Sequence, residues 1–423
     1  LLREGLAALG PRRDALRALL LARLGGWLLV SAGRGSADTP EPPLFEQAET
    51  LARRLGESRT LALVLADRVT ALAGVVLGRP GGPGEAVKAS AELAGVAARL
   101  GDAGLQLASI LPRAEALLAA GDLDGLARLV EAQERAVAQR PVPFQGWLSL
   151  VLRAMRATMG GDFVAGERLA EQALAYGWDH LDEAVADTHG AQLVLMRWLQ
   201  GRPDDVRALL ERLARRPLGR GWRPLLPLAS VGQRREAEAR RDLDAAAADG
   251  FAGWRSGVEV VALVGACALL GDAGAAATLY QRLQPYGGWH LGAGPMVYLG
   301  AGDHHLGVLA ATAGRWNDAE RHLQTAMAVH RRLGARPWLA LTRQAYAGML
   351  RGRGRHDDHH RHPDRPEPDR RAPTGTRPWS RTAPTSETPC RTSCAPRRAR
   401  RRSCSGSTRR GRAHRLNPDR AVR

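Results

Sequence analysis

FQGWLSLVLRAMRATMGGDFVAGERLAEQALAYG, residues 144–177, is the stretch that decides the fold. Leu148, Val151, Leu152, Met155 and Met159 recur at i, i+3, i+4, i+7 and i+11, one apolar stripe on a helix of 3.6-residue period. Arg153 and Arg156 fall off that stripe and are predicted to face water. Trp147, at the head of the stripe, reads as core. The stripe stops at Gly161, a residue suited to the left-handed conformation that ends helices, and Asp162 can cap the helix that follows. The local unit is therefore helix, tight glycine turn, helix.

The same punctuation recurs along the chain, at Gly78-Arg79, Gly121-Asp122, Gly161-Asp162, Gly201-Arg202, Gly232-Gln233, Gly271-Asp272 and Gly314-Arg315. The steps are 43, 40, 40, 31, 39 and 43 residues. Glycine is abundant, 48 residues, so some matches arise by chance, but three consecutive positions at a strict step of 40 do not. Ala and Leu dominate, whereas the aromatic and β-branched residues that strands favour are sparse. No alternating run bounded by Asn-Gly or Asp-Gly turns is present, so no β-hairpin is predicted. The expected fold is all-α: a tetratricopeptide-like α-solenoid of about eight stacked helical hairpins over residues 1–354, with nearest-neighbour stability.

One unit carries a resemblance. Gly314-Arg315-Trp316-Asn317-Asp318-Ala319-Glu320, with Leu323 and Ala326, looks like the second half of a tetratricopeptide repeat, and Leu306-Gly307 matches the Leu-Gly of its first helix. Gly161-Asp162-Phe163 with Ala173-Leu174 is a poorer copy. More broadly, residues 305–354 and 144–177 resemble the repeat region of large actinobacterial ATP-dependent regulators, of the LuxR type and the signal-transduction ATPases with numerous domains. That resemblance implies a regulatory, non-catalytic module binding a protein segment or small effector, with an ATPase domain elsewhere in the parent protein. Neither the nucleotide-binding domain nor the helix-turn-helix of such regulators occurs in this sequence. The 40-residue step exceeds the 34 of the simple repeat, and Arg153 stands where the Gly161 unit should bury a Leu. The chain opens Leu1-Leu2 without Met, as a piece of a longer protein would.

Formal net charge is +18, unevenly placed. Residues 1–354 hold 42 Lys and Arg against 36 Asp and Glu, while 355–423 hold 19 Arg against seven acids. Beyond 354 there are nine prolines, one Leu and one Val, too little apolar surface to offset chain entropy. Residues 355–423 are thus expected to be a disordered Arg/Pro-rich tail, and genuine basic tail and out-of-frame text both remain open. Its arginine runs, Arg397-Arg398 and Arg400-Arg401-Arg402 among them, could attract nucleic acid nonspecifically. This gives an alternative function as a nucleic-acid-associating protein. One cysteine in the body, Cys267, is no disulfide framework, and Arg17, Arg23 and Gly25-Gly26 interrupt the most apolar early stretch. A cytoplasmic protein is expected.

Chemical motifs are few. The glycine-rich pieces at 33–35 and 78–84 lack the Gly-Lys-Ser/Thr of a phosphate loop. The cluster His356-Asp357-Asp358-His359-His360-Arg361-His362 and the trio Cys390, Cys394 and Cys404 lie in the expected tail, without the fixed geometry zinc needs. No catalytic set is recognised, and neither enzyme activity, cofactor nor metal is expected. His304-His305 opens the best-matched hairpin and reads as one surface and one packed histidine. A sharper expectation places His304, with Val308 and Thr312 at i+4 and i+8, on an open concave groove that takes a helical or extended partner segment.

Overall fold

The glycine punctuation and the apolar stripes build what they promise. The computed structural model describes residues 1–9, 13–32, 44–73, 82–139, 142–181, 184–214, 235–248 and 257–361. Among these the fold is all-α, with seventeen helices and one two-stranded sheet. The first eleven helices are α1 (Leu2–Ala8), α2 (Asp14–Ala32), α3 (Leu44–Leu55), α4 (Ser58–Ala73), α5 (Gly82–Leu100), α6 (Ala103–Ala120), α7 (Leu123–Gln139), α8 (Pro143–Gly160), α9 (Phe163–His180), α10 (Ala184–Leu199) and α11 (Pro203–Ala214). Then come α12 (Glu236–Ala247), α13 (Gly257–Leu270), α14 (Ala273–Leu283), strands β1 (His290–Ala293) and β2 (Val297–Ala301), α15 (Gly302–Thr312), α16 (Trp316–Arg332) and α17 (Arg336–Arg361). The last helix runs seven residues past the composition break at 354. The rest of the expected tail lies outside the described residues.

Gly121, Gly161, Gly201, Gly271 and Gly314 all sit at positive φ in inter-helix turns, while Gly78 and Gly232 lie outside the described residues. Asp122, Asp162 and Asp272 each accept the backbone N–H three residues on, from Gly125, Ala165 and Ala275, at 2.7, 2.9 and 2.9 Å. Asp102 does the same for Leu105 at 3.0 Å, behind Gly101, a turn not marked in advance. Each carboxylate satisfies an orphan donor at a helix N-terminus, where the macrodipole also favours negative charge. The turns fold consecutive helices onto each other: α5 on α6, α8 on α9, α15 on α16. Leu148, Val151, Leu152, Met155 and Met159 are all buried, and Arg153 and Arg156 are exposed. Trp147, Trp198 and Trp338 are buried as well.

Two expectations need correction. A β-hairpin is present after all: β1 and β2 pair antiparallel, His290 opposite Ala301 and Ala293 opposite Val297, with an irregularity between His290 and Gly292. Its turn is Gly294-Pro295-Met296 rather than Asn-Gly, so the usual signal is missing. Leu291, Val297, Tyr298 and Leu299 are buried, and the hairpin packs against α6, α8, α10, α13, α15 and α16. Secondly, packing is not confined to neighbours in sequence, because α17 also lies on α8. One apolar cluster consequently runs from Ile110 to Met349.

Candidate binding surfaces

The expected groove is closed. His304 is 6% exposed and His305 1%, so neither is a surface histidine. Val308 and Thr312 are half-buried; Val308 packs against the main core, and the Thr312 hydroxyl donates to the Val308 carbonyl at 2.9 Å. The cause is α17, which packs on α15 and brings Trp338 and Thr342 against His304.

What those residues build instead is a buried histidine network. The Thr342 hydroxyl lies 2.7 Å from the Trp338 carbonyl, 3.0 Å from His304 Nδ1 and 3.0 Å from His330 Nδ1. His330 Nε2 accepts the Ala301 N–H at 3.0 Å, so its proton must sit on Nδ1 and point at Thr342. With the Thr342 proton given to Trp338, His304 Nδ1–H fills the remaining lone pair and the oxygen is saturated. His305 Nε2–H donates to the Leu299 carbonyl at 2.9 Å, and His290 Nδ1 meets the Tyr298 hydroxyl at 2.9 Å. Gly121 makes room for that ring: a Cβ there would lie 2.4 Å from His290 Nε2. Burial pushes His290 and His305 down to about 4 and His330 to about 3, and holds His304 well below the ordinary imidazole value. The network is neutral, and it ties β2 to α15, α16 and α17.

A second buried set joins α14, α15 and α16. His322 Nδ1 lies 2.7 Å from Asp303 Oδ1, His322 Nε2 lies 3.1 Å from the Tyr280 hydroxyl, and Asp303 Oδ2 accepts the Gly288 N–H at 2.9 Å. Burial raises the Asp303 carboxyl, but the His322 and Gly288 bonds outweigh it and hold the group below its usual range. The order acid–imidazole–hydroxyl is that of a proton relay, yet Tyr280 is 1% exposed and no reacting atom can approach it. The set is a staple between helices. Among the described residues no group of three or more His, Cys, Asp or Glu is placed to hold a metal ion. Nor is any helix among them long and apolar enough to cross a membrane.

An open apolar cleft lies elsewhere, between α2 and α4. It encloses about 340 Å³ and is lined by Leu19, Leu20, Arg23, Leu63, Ala66 and Asp67. Arg23 Nε lies 3.0 Å from Asp67 Oδ2, and burial raises the Asp67 carboxyl against the pull of that guanidinium. Leu16 is 41% and Trp27 61% exposed. The sequence holds part of a signal for this site: Leu20 and Arg23, which line it, continue at helical spacing to the exposed Leu16 and Trp27, on a face apart from the buried Ala18 and Ala22. A helix apolar on two faces has one face to spare. No protein-family model matches the chain, and no curated protein matches it either.

Proposed function

We propose that the chain is a non-catalytic helical-repeat module that binds a protein segment or effector within a regulatory protein of the ATPase type, as its resemblance to LuxR-type and signal-transduction ATPase regulators suggests. The working surface is the α2–α4 cleft, and its occupant is the apolar anchor of an amphipathic partner helix. The carrying observation is the cleft itself, apolar in Leu19, Leu20 and Leu63, with the Arg23–Asp67 pair to orient a polar group and Trp27 exposed on the same helix. Concave, mostly apolar walls with few placed polar groups are the common form of a binding site, and a helix lying on them is one of the recurring recognition modes. The buried relay-like and histidine sets support a scaffold rather than an enzyme, since their polar atoms are spent on one another.

Panning the full chain against a library of amphipathic helical peptides tests this. Selected peptides should lose tenfold or more in affinity when Ala66→Trp fills the cleft or Leu20→Glu charges it, with helicity unchanged. Peptides that bind both variants like the parent would remove the cleft from consideration.

A further inference from the structure

The 36 residues 321–356 contain eight arginines and no Asp or Glu. Arg321 and Arg353 reach back to Asp318 and Glu320. Five of the other six, Arg331, Arg332, Arg336, Arg343 and Arg351, are exposed and have no carboxylate partner among the described residues. Arg331 and Arg332 close α16, where cations suit the helix dipole. Arg336 is different. It stands in the first turn of α17, against the dipole, in a turn with no acidic residue. Arg343 and Arg351 follow at seven and eight residues, one face of the helix, spread over roughly 22 Å at 1.5 Å per residue.

The geometry points to this arginine face of α16 and α17 as a binding surface for the phosphate backbone of a nucleic acid. Arg331, Arg332 and Arg336 stand at the turn into the N-terminus of α17 and Arg343 and Arg351 continue along the helix, and five such guanidiniums make an anion-seeking surface. Over roughly 22 Å a duplex strand presents on the order of six phosphates, enough for Arg336, Arg343 and Arg351 along α17 and for Arg331 and Arg332 at its near end. An acidic protein would need apolar contacts as well, and the face offers only Leu350 at its far end. Recognition is of backbone charge rather than base sequence, because no exposed aromatic residue stands among these arginines. This surface belongs to the folded body and is independent of the arginine runs beyond residue 390.

The test is fluorescence anisotropy of the full chain with a labelled random-sequence 20-base-pair DNA duplex between 50 and 200 mM salt. Three variants are compared with the parent. The first replaces Arg331, Arg332, Arg336, Arg343 and Arg351 by Gln; the second replaces Arg397, Arg398, Arg400, Arg401 and Arg402 by Gln. The third, of equal charge change, alters the exposed Arg3, Arg99, Arg128, Arg156 and Arg241. The first should lower the magnitude of the log–log salt slope by about 4, at roughly 0.9 per phosphate released, and the third by less than 1. Equal effects of first and third would show diffuse charge and overturn the assignment. A slope that follows only the second variant would overturn it in favour of the tail. Polyglutamate bound as tightly as DNA at equal charge would overturn it in favour of an acidic protein partner. Far-UV helicity and melting, expected to be unchanged in all three, guard against unfolding.

Discussion

Thr342 brings one oxygen to three partners, and its neighbours cannot turn elsewhere. Replacing it by Val keeps the shape and removes the oxygen, leaving the Nδ1 atoms of His304 and His330 buried without a bond. At about 1–3 kcal/mol for each unsatisfied buried group, Thr342→Val should destabilise by about 2–5 kcal/mol. Thr342→Ser, which keeps the oxygen, should lose about 1 kcal/mol, near the value of one buried methyl. Urea unfolding of the two variants checks this, and equal losses would mean that packing alone holds the site. At this scale the sequence was partly legible. His304 stood out as a polar residue on an apolar helix, but the partner that closes it off lies 38 residues away. Nothing local in either segment announces the pairing, which buries His304 and leaves Val308 and Thr312 half-buried in place of an open groove.

The helical hairpin is where sequence and structure agree best, because its signals are local. A positive-φ glycine and a capping aspartate are read within three residues of each other, and five of the seven marked turns fall among the described residues as marked. The cap can be tested directly. Asp162→Ala removes the acceptor of the Ala165 N–H and should cost about 1 kcal/mol, while Asp162→Asn should keep most of that. Thermal melts of the two variants separate the cases; an alanine variant as stable as the parent would leave the carboxylate without a role. The strands were illegible for the opposite reason. Residues 290–301 are short, glycine-rich and turn through Gly-Pro, and only the six helices around them make them a buried hairpin. Context of that kind overrides strand propensity. The α2–α4 cleft is half legible, because Leu16, Leu20 and Trp27 share one face of α2 with Arg23, while Leu63, Ala66 and Asp67 come from a helix some forty residues on.

For the molecule as a whole, the neutral histidines make stability depend on pH. In the unfolded chain an imidazole takes up its proton near 6.5; folded, His290, His305 and His330 do so only at about 4, 4 and 3, and His304 also lies far below. Their stabilisation is complete above 6.5 and is lost as pH falls towards 4. His189, lowered by burial, acts in the same direction. Glu115 acts against them, since burial raises it to about 7 and the folded state takes up that proton first. The four network histidines put nearly four extra protons on the unfolded chain below pH 6 and Glu115 offsets about one of them, so stability should drop by roughly 4 kcal/mol per pH unit between 6 and 5. A domain at the low end of the usual 5–15 kcal/mol should thus unfold near pH 5, and a more stable one at lower pH. Urea unfolding free energies at pH 7.5, 6.5 and 5.5 measure the slope, and a loss under 1 kcal/mol across that range would contradict the neutral network. The hairpin has a consequence of another kind, for manufacture on the ribosome. Gln192 Nε2 donates to the carbonyls of Val151 and Met296, tying α10 both to α8 and to a turn made more than a hundred residues later, and β2 packs on both helices. At 5–20 residues per second, these helices wait on the order of ten seconds with apolar faces uncovered. A nascent chain stalled before Ala301 should be the form that chaperones hold and proteases clear.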